Sequence, residues 1–248
     1  GRRAPVPRPG PRVQVPAPTL QPDGRDQILV RTHWAAMCGS DIPFFTGSKR
    51  FQTYPLAPGA QVHECVGQVV ESSSDRYRPG DLVVAMPGGH QGRAELFLAQ
   101  PSRTARLPFE LASATSCLIQ PLSTVMNAID RLGVIDGLSV AVVGLGSMGL
   151  LFCWLLRQRG AGRIVGIDPI LVRCQAAEQW GASRTYPMRS IELLHTTRQN
   201  ASGWDAPQVC IECVGHQADT LNDCLALVAK QGTVVAFGVP DHPVYSIE

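Results

Sequence analysis

From residue 139 onward the apolar positions follow a fixed rhythm, each short β-branched run being succeeded by a longer stretch with helical spacing. Strands are expected at Ser139–Val143, Arg163–Ile167, Arg184–Tyr186, Gln208–Glu212 and Thr233–Phe237, and helices at Gly149–Arg159, Ile170–Trp180, Ser190–Arg198 and Ala218–Val228. This alternation predicts a parallel sheet covered on both faces, because each crossover helix must bury its apolar stripe against the strands. Ahead of it the pattern is different. Strand-like runs at Gln27–Thr32, Val66–Glu71, Leu82–Ala85 and Glu95–Ala99 are separated by Pro-Gly or Gly-Gly pairs at 58–59, 79–80 and 88–89, which predicts a small, mostly β domain. Between the two, Ser113–Leu132 has helical spacing and is expected as two pieces interrupted at Pro121. The domains are accordingly 1–122 and 123–248. The first 22 residues carry seven prolines and four arginines and are expected to lie extended.

Composition narrows the class. With 44% apolar and 17% charged residues the chain can bury a core, and a formal charge of +2 gives no footing for nucleic acid or an anionic membrane as partner. Residues 137–156 are uncharged and long enough to span a bilayer. Glycines at 144, 146 and 149 and a mid-run change of period instead mark a strand, a turn and a buried helix. Eight scattered cysteines without a secretory signal point to a reducing, cytoplasmic setting. The Asn200-Ala-Ser202 sequon is then idle.

The turn itself carries chemistry. Gly144-Leu-Gly146-Ser147-Met148-Gly149 follows an apolar strand directly and opens a helix. Gly144 permits a tight turn, Gly146 lets the backbone approach a pyrophosphate, and Gly149 lets helix and strand pack closely. The helix N-terminus offers free N–H groups and partial positive charge to phosphates. At the end of the second strand, Asp168 is placed to accept hydrogen bonds from a ribose and to repel a 2′-phosphate, favouring NAD over NADP. Arg173 is near enough to matter and is expected on the following helix, facing solvent.

In the first domain, Cys38-Gly-Ser40-Asp41 follows one strand, and His63-Glu64 follows the Pro58-Gly59 turn. A thiolate, an imidazole and a carboxylate on neighbouring loops suit zinc with one position open to substrate. A buried free cysteine beside an unrelated histidine is the competing reading.

Taken with Gly67, Pro79-Gly-Asp81, Gly89 to Glu95, Gln120-Pro-Leu122, Gly181-Ala182 and Gly232 to Gly238, these motifs resemble the zinc-dependent alcohol dehydrogenases of the medium-chain dehydrogenase/reductase family, closest to the sorbitol and threonine dehydrogenase branch. The resemblance runs over nearly the whole chain. It implies a Rossmann-type α/β fold, a doubly wound parallel sheet with five of six strands, behind an N-terminal mostly-β GroES-like catalytic domain. The sixth strand, through which family members dimerise, is not seen before Glu248, so no oligomeric state is carried over. The resemblance further implies that Cys38 and His63 ligate a catalytic zinc and that Glu64 is a ligand or an inner carboxylate. Ser40 starts deprotonation of the substrate hydroxyl, and Asp41 supports the metal site. Gly144, Gly146, Ser147, Met148, Gly149, Asp168 and Arg173 hold NAD. The partner is a small alcohol or carbonyl compound, a polyol, sugar or amino alcohol.

Three positions depart from the pattern. Gln120 stands where the branch has glutamate, so the fourth ligand is a weaker, neutral amide. Cys117, three residues before it, is an alternative donor, though a place in the core suits it better. Pro43 stands where many relatives have a relay histidine. The four-cysteine lobe of a structural zinc is absent, Met86-Pro-Gly-Gly-His90 forming a short turn in which His90 is read as a plain loop residue. One zinc at most is expected. The departures keep two other readings open, a zinc-free NAD(P)-dependent reductase of the same group and a catalytically silent nucleotide-binding scaffold.

Overall fold

The computed structural model describes residues 26–46, 56–199, 204–215, 219–240 and 246–247. The proline-rich arm and the sequon lie outside these residues. The chain divides into two compact units, Gly1–Pro121 and Leu122–Glu248.

In the first unit four antiparallel strands close into a barrel: β1 (Ile28–Ala36), β2 (Glu64–Ser72), β3 (Leu82–Pro87) and β4 (Leu96–Arg106). A short α1 (Ile42–Thr46) follows β1 after a 3-10 turn at Gly39–Asp41. Both faces of β2 are covered. Cys65 and Val69 join the core with Ile28, Val83 and Phe97, while Val66 packs with Leu82, Val84 and Leu107 outside it. β4 is much longer than its apolar run, and Pro101 lies inside it. Proline is tolerated because the strand pairs with β1 through 96–99 and with β3 mainly through 104–106, which leaves residue 101 without a ladder partner.

Helix α2 (Ile119–Leu132) follows a 3-10 segment, Ala114–Leu118. The expected break at Pro121 is therefore wrong. The geometry changes between 118 and 119, and Pro121 occupies the first turn of α2, where an amide hydrogen has no partner to lose.

The second unit is a five-stranded parallel sheet built from β5 (Ser139–Val143), β6 (Arg163–Ile167), β7 (Arg184–Tyr186), β8 (Val209–Glu212) and β9 (Thr233–Ala236), in the order β7-β6-β5-β8-β9. Helices α3 (Ser147–Gln158), α4 (Leu171–Gln179), α5 (Ser190–Gln199) and α6 (Asp219–Leu227) connect the strands. Alternate residues of β5 divide the core. Val140 and Val142 meet Phe152 and Leu156 of α3, while Ala141 and Val143 meet Leu193 of α5 and Leu227 of α6. Strand order reverses beside β5, and in open α/β sheets such a switch point, at the carboxyl ends of the strands, is where ligands bind.

Candidate metal and dinucleotide sites

Antiparallel pairing builds the first site. The β1–β2 register sets Ala36 opposite Glu64, so the loop leaving β1 at Cys38 comes beside the residues that begin β2. Gly67 allows this register, because a Cβ there would stand 2.2 Å from the Arg31 carbonyl oxygen. One donor atom each from Cys38, His63 and Glu64 lie within 4.8 Å of one another.

Asp41 organises the group from behind. It is 1% exposed, and its Oδ2 accepts the Cys38 amide hydrogen at 2.9 Å. Its Oδ1 stands 3.2 Å from His63 Nδ1, an ion-pair distance without the alignment of a hydrogen bond. Nδ1 is thereby held toward a carboxylate, which leaves the other ring nitrogen for an ion, the arrangement of a carboxylate–histidine–metal triad. Asp41, followed by Cys38, pushes the His63 pKa up to about 10 against the opposing effect of burial. Burial raises the Glu64 pKa, partly offset by Cys38 and His63. Two buried carboxylates, a buried imidazole and a half-buried thiol fit a divalent cation, which neutralises charge that otherwise has to be held by protons. The donor types are those of zinc.

Ser40 is half-buried in the 3-10 turn beside Asp41, and Gln120 is half-buried in the first turn of α2. Cys117 lies in the core with Val66, Val84 and Leu107, outside the donor cluster. Cys65 is a core residue whose thiol burial pushes up to about 12. Pro43 is buried in α1.

His90 corrects the sequence reading. It is no plain loop residue, since its ring packs against His63 with centroids 4.9 Å apart and planes tilted by 39°. The Gly88-Gly89 pair gives no hint of this, because the contact depends on how the turn after β3 folds back on the chain before β2.

In the second unit the glycines divide by what surrounds them. Gly144 has φ +92°, and a Cβ at Gly149 would lie 2.0 Å from the Gly144 carbonyl oxygen, so both are required by the chain itself. Gly146 is different. Its φ of −70° suits any residue, and a Cβ there would meet nothing within 4 Å. The protein leaves open space in front of that amide at the N-terminus of α3, as a dinucleotide pyrophosphate requires. Ser147 and Met148 form the first turn of α3.

Asp168 is buried at the end of β6. Its Oδ2 accepts the Leu145 N–H of the glycine turn and its Oδ1 the Ile170 N–H, both at 2.9 Å. Arg173 does not simply face solvent. Although half exposed, it returns from α4 to place Nη1 3.4 Å from Asp168 Oδ2. Asp168 precedes α4, so no helical i, i+3 or i, i+4 spacing signals the pair in the sequence.

A second buried carboxylate escapes sequence reasoning. Glu212, at the end of β8, accepts through Oε1 from the Val214 N–H (2.8 Å), the Gly215 N–H (2.9 Å) and the Thr220 hydroxyl (3.0 Å), fixing the backbone that leaves the strand. Cys210 and Cys213 around it belong to opposite faces of the sheet, as expected of that spacing on a strand.

Comparison with known proteins supplies the class. Residues 24–108 match the alcohol dehydrogenase GroES-like domain and residues 147–247 the zinc-binding dehydrogenase domain. Sorbitol dehydrogenase of Bacillus subtilis is 28% identical over 91% of this chain and 71% of its own. A probable zinc-binding alcohol dehydrogenase of Mycobacterium tuberculosis is 31% identical over 89% of this chain and 65% of its own. The solved alcohol dehydrogenase of Thermus sp. ATN1 superposes with a TM-score of 0.77 at 27% identity, covering 95% of this chain and 76% of that one. The protein is an oxidoreductase. It belongs to the zinc-dependent alcohol dehydrogenase-like family of medium-chain dehydrogenases/reductases, whose cofactors are zinc and a nicotinamide dinucleotide. Among the described residues no helix is long and apolar enough to cross a membrane.

Proposed function

We propose that the protein oxidises a secondary alcohol of the polyol, sugar or amino alcohol class with NAD, through one zinc held by Cys38, His63 and Glu64. The observation that carries this reading is the convergence of those three donors within 4.8 Å. A zinc ion bound there supplies Lewis acidity that lowers the pKa of an alcohol hydroxyl, and NAD supplies the hydride acceptor. The chain's own residues do the rest. Asp41 orients His63 and the Cys38 loop, and Ser40 takes the hydroxyl proton on Oγ and releases it to water, since Pro43 has no group to pass it on. Gln120 completes the donor set as a neutral amide. Gly144 to Gly149 and the N-terminus of α3 hold the pyrophosphate, and Asp168 holds the ribose. All eight cysteines are free thiols, which supports a reducing, cytoplasmic setting.

The test is NAD-linked oxidation of a panel of secondary alcohols by protein carrying one zinc equivalent. Turnover that a chelator abolishes and zinc restores is expected. Turnover indifferent to the chelator favours the zinc-free alternative and removes this reading.

Cofactor choice gives a separate prediction. Asp168→Gly removes the charge that repels a 2′-phosphate and frees Arg173 to attract one. The NAD-over-NADP preference should fall by about tenfold to a hundredfold, roughly 1.4–2.8 kcal/mol, in kcat/KM measured with each dinucleotide. An unchanged ratio removes Asp168 from cofactor selection.

A further inference from the structure

The geometry points to His90 as a positioning residue of the metal site, acting through His63. This rests on the zinc reading above. Two links join His90 to that ligand. Its carbonyl oxygen accepts the Val62 N–H at 2.9 Å, anchoring the residue just before His63, and its ring lies 4.9 Å from the His63 ring. His63 is thus held on two sides, with Asp41 at Nδ1 and the His90 imidazole against the ring.

The backbone adds an independent observation. His90 has φ +57°, a left-handed conformation that costs a non-glycine residue of the order of 1 kcal/mol or more. The preceding Gly89 has φ +60°, so two successive residues turn left-handed to bring this side chain round. Glycine at 90 would relieve the strain. A histidine there has a use for its ring.

A ligand imidazole that is free to rotate must be ordered when the ion arrives. Packing one face of His63 meets that cost during folding; outer partners that hydrogen-bond a metal ligand are worth about tenfold to a hundredfold in metal affinity, and the packed ring is expected to reach the lower end of that range.

The test compares cobalt(II) binding, by competition with a chromophoric chelator and by the visible ligand-field bands, in wild type, His90→Gly and His90→Phe. In His90→Gly, affinity is expected to drop at least about tenfold and the bands to shift, while the metal-free protein melts no lower than wild type because the φ strain is gone. His90→Phe keeps a ring of similar shape without nitrogen and is expected to recover most of the affinity. Wild-type affinity and bands in His90→Gly overturn the proposal. So does failure of His90→Phe to recover affinity, which makes the nitrogen rather than the ring the required feature, or a loss of affinity matched by a lower melting temperature. Wild type that binds no cobalt overturns the zinc reading itself, and this proposal with it.

Discussion

His63→Ala is expected to purify without zinc, to bind NAD as wild type does, and to lose at least about a thousandfold in kcat. The size follows from the several kcal/mol that a Lewis acid contributes to an alcohol's activation, each 1.36 kcal/mol being tenfold in rate. The selectivity follows from the architecture. His63 belongs to the barrel unit and the glycine turn to the parallel-sheet unit, each with its own core. The site also predicts what the vacated position does. Without the imidazole the buried Glu64 carboxyl loses a charge that offsets its burial, so the barrel should lose stability as pH rises and Glu64 ionises. Zinc by mass analysis, NAD by calorimetry and steady-state kinetics test the three statements separately. Unchanged turnover would contradict the role given to His63.

The second large effect lies in the glycine turn and has opposite signs at two neighbouring positions. Gly149→Ala forces a Cβ to 2.0 Å from the Gly144 carbonyl oxygen, which is backbone and cannot rotate away. The turn and the start of α3 must shift, at a cost of about 2–4 kcal/mol, and the second unit should melt early with its cofactor site lost. Gly146→Ala meets no atom within 4 Å and no forbidden dihedral, so stability should be equal or slightly higher. Its methyl instead occupies the space left for pyrophosphate, and the NAD Kd should rise by at least about tenfold. Thermal melts with and without NAD separate the pair. Equal destabilisation by both, or normal NAD binding in Gly146→Ala, would contradict the division of labour.

Much of this is legible in the sequence because it is local. The strand–glycine turn–helix–strand–acid succession from Ser139 to Asp168 is a contiguous pattern of hydrophobic period and glycine spacing, and the structure follows it within a residue or two. The donors Cys38, His63 and Glu64 are legible only as two motifs. Their meeting depends on the β1–β2 register, which a sequence motif implies but does not itself create. What the sequence hides depends on long-range packing. Pro101 resembles the end of a strand because its lack of ladder partners is a property of the barrel, not of the residue. Arg173 reads as solvent-directed because the helical face gives its Cα position but not the reach of its guanidinium back to Asp168. A histidine after two glycines, as at His90, has no pattern, and only the folded turn shows that it packs against His63. Glu212 reads as the end of a strand, since nothing nearby announces that three donors converge on one of its oxygens.

The central claim is that sulfur, imidazole and carboxylate from two loops of the barrel share one divalent ion. X-ray absorption at the zinc edge of the purified protein addresses it directly. The account predicts one zinc per chain with a single sulfur at about 2.3 Å and the remaining ligands nitrogen or oxygen at about 2.0–2.2 Å, the sulfur lost in Cys38→Ser. A shell of several sulfurs, a sulfur that survives Cys38→Ser, or protein that takes up no stoichiometric zinc would contradict it.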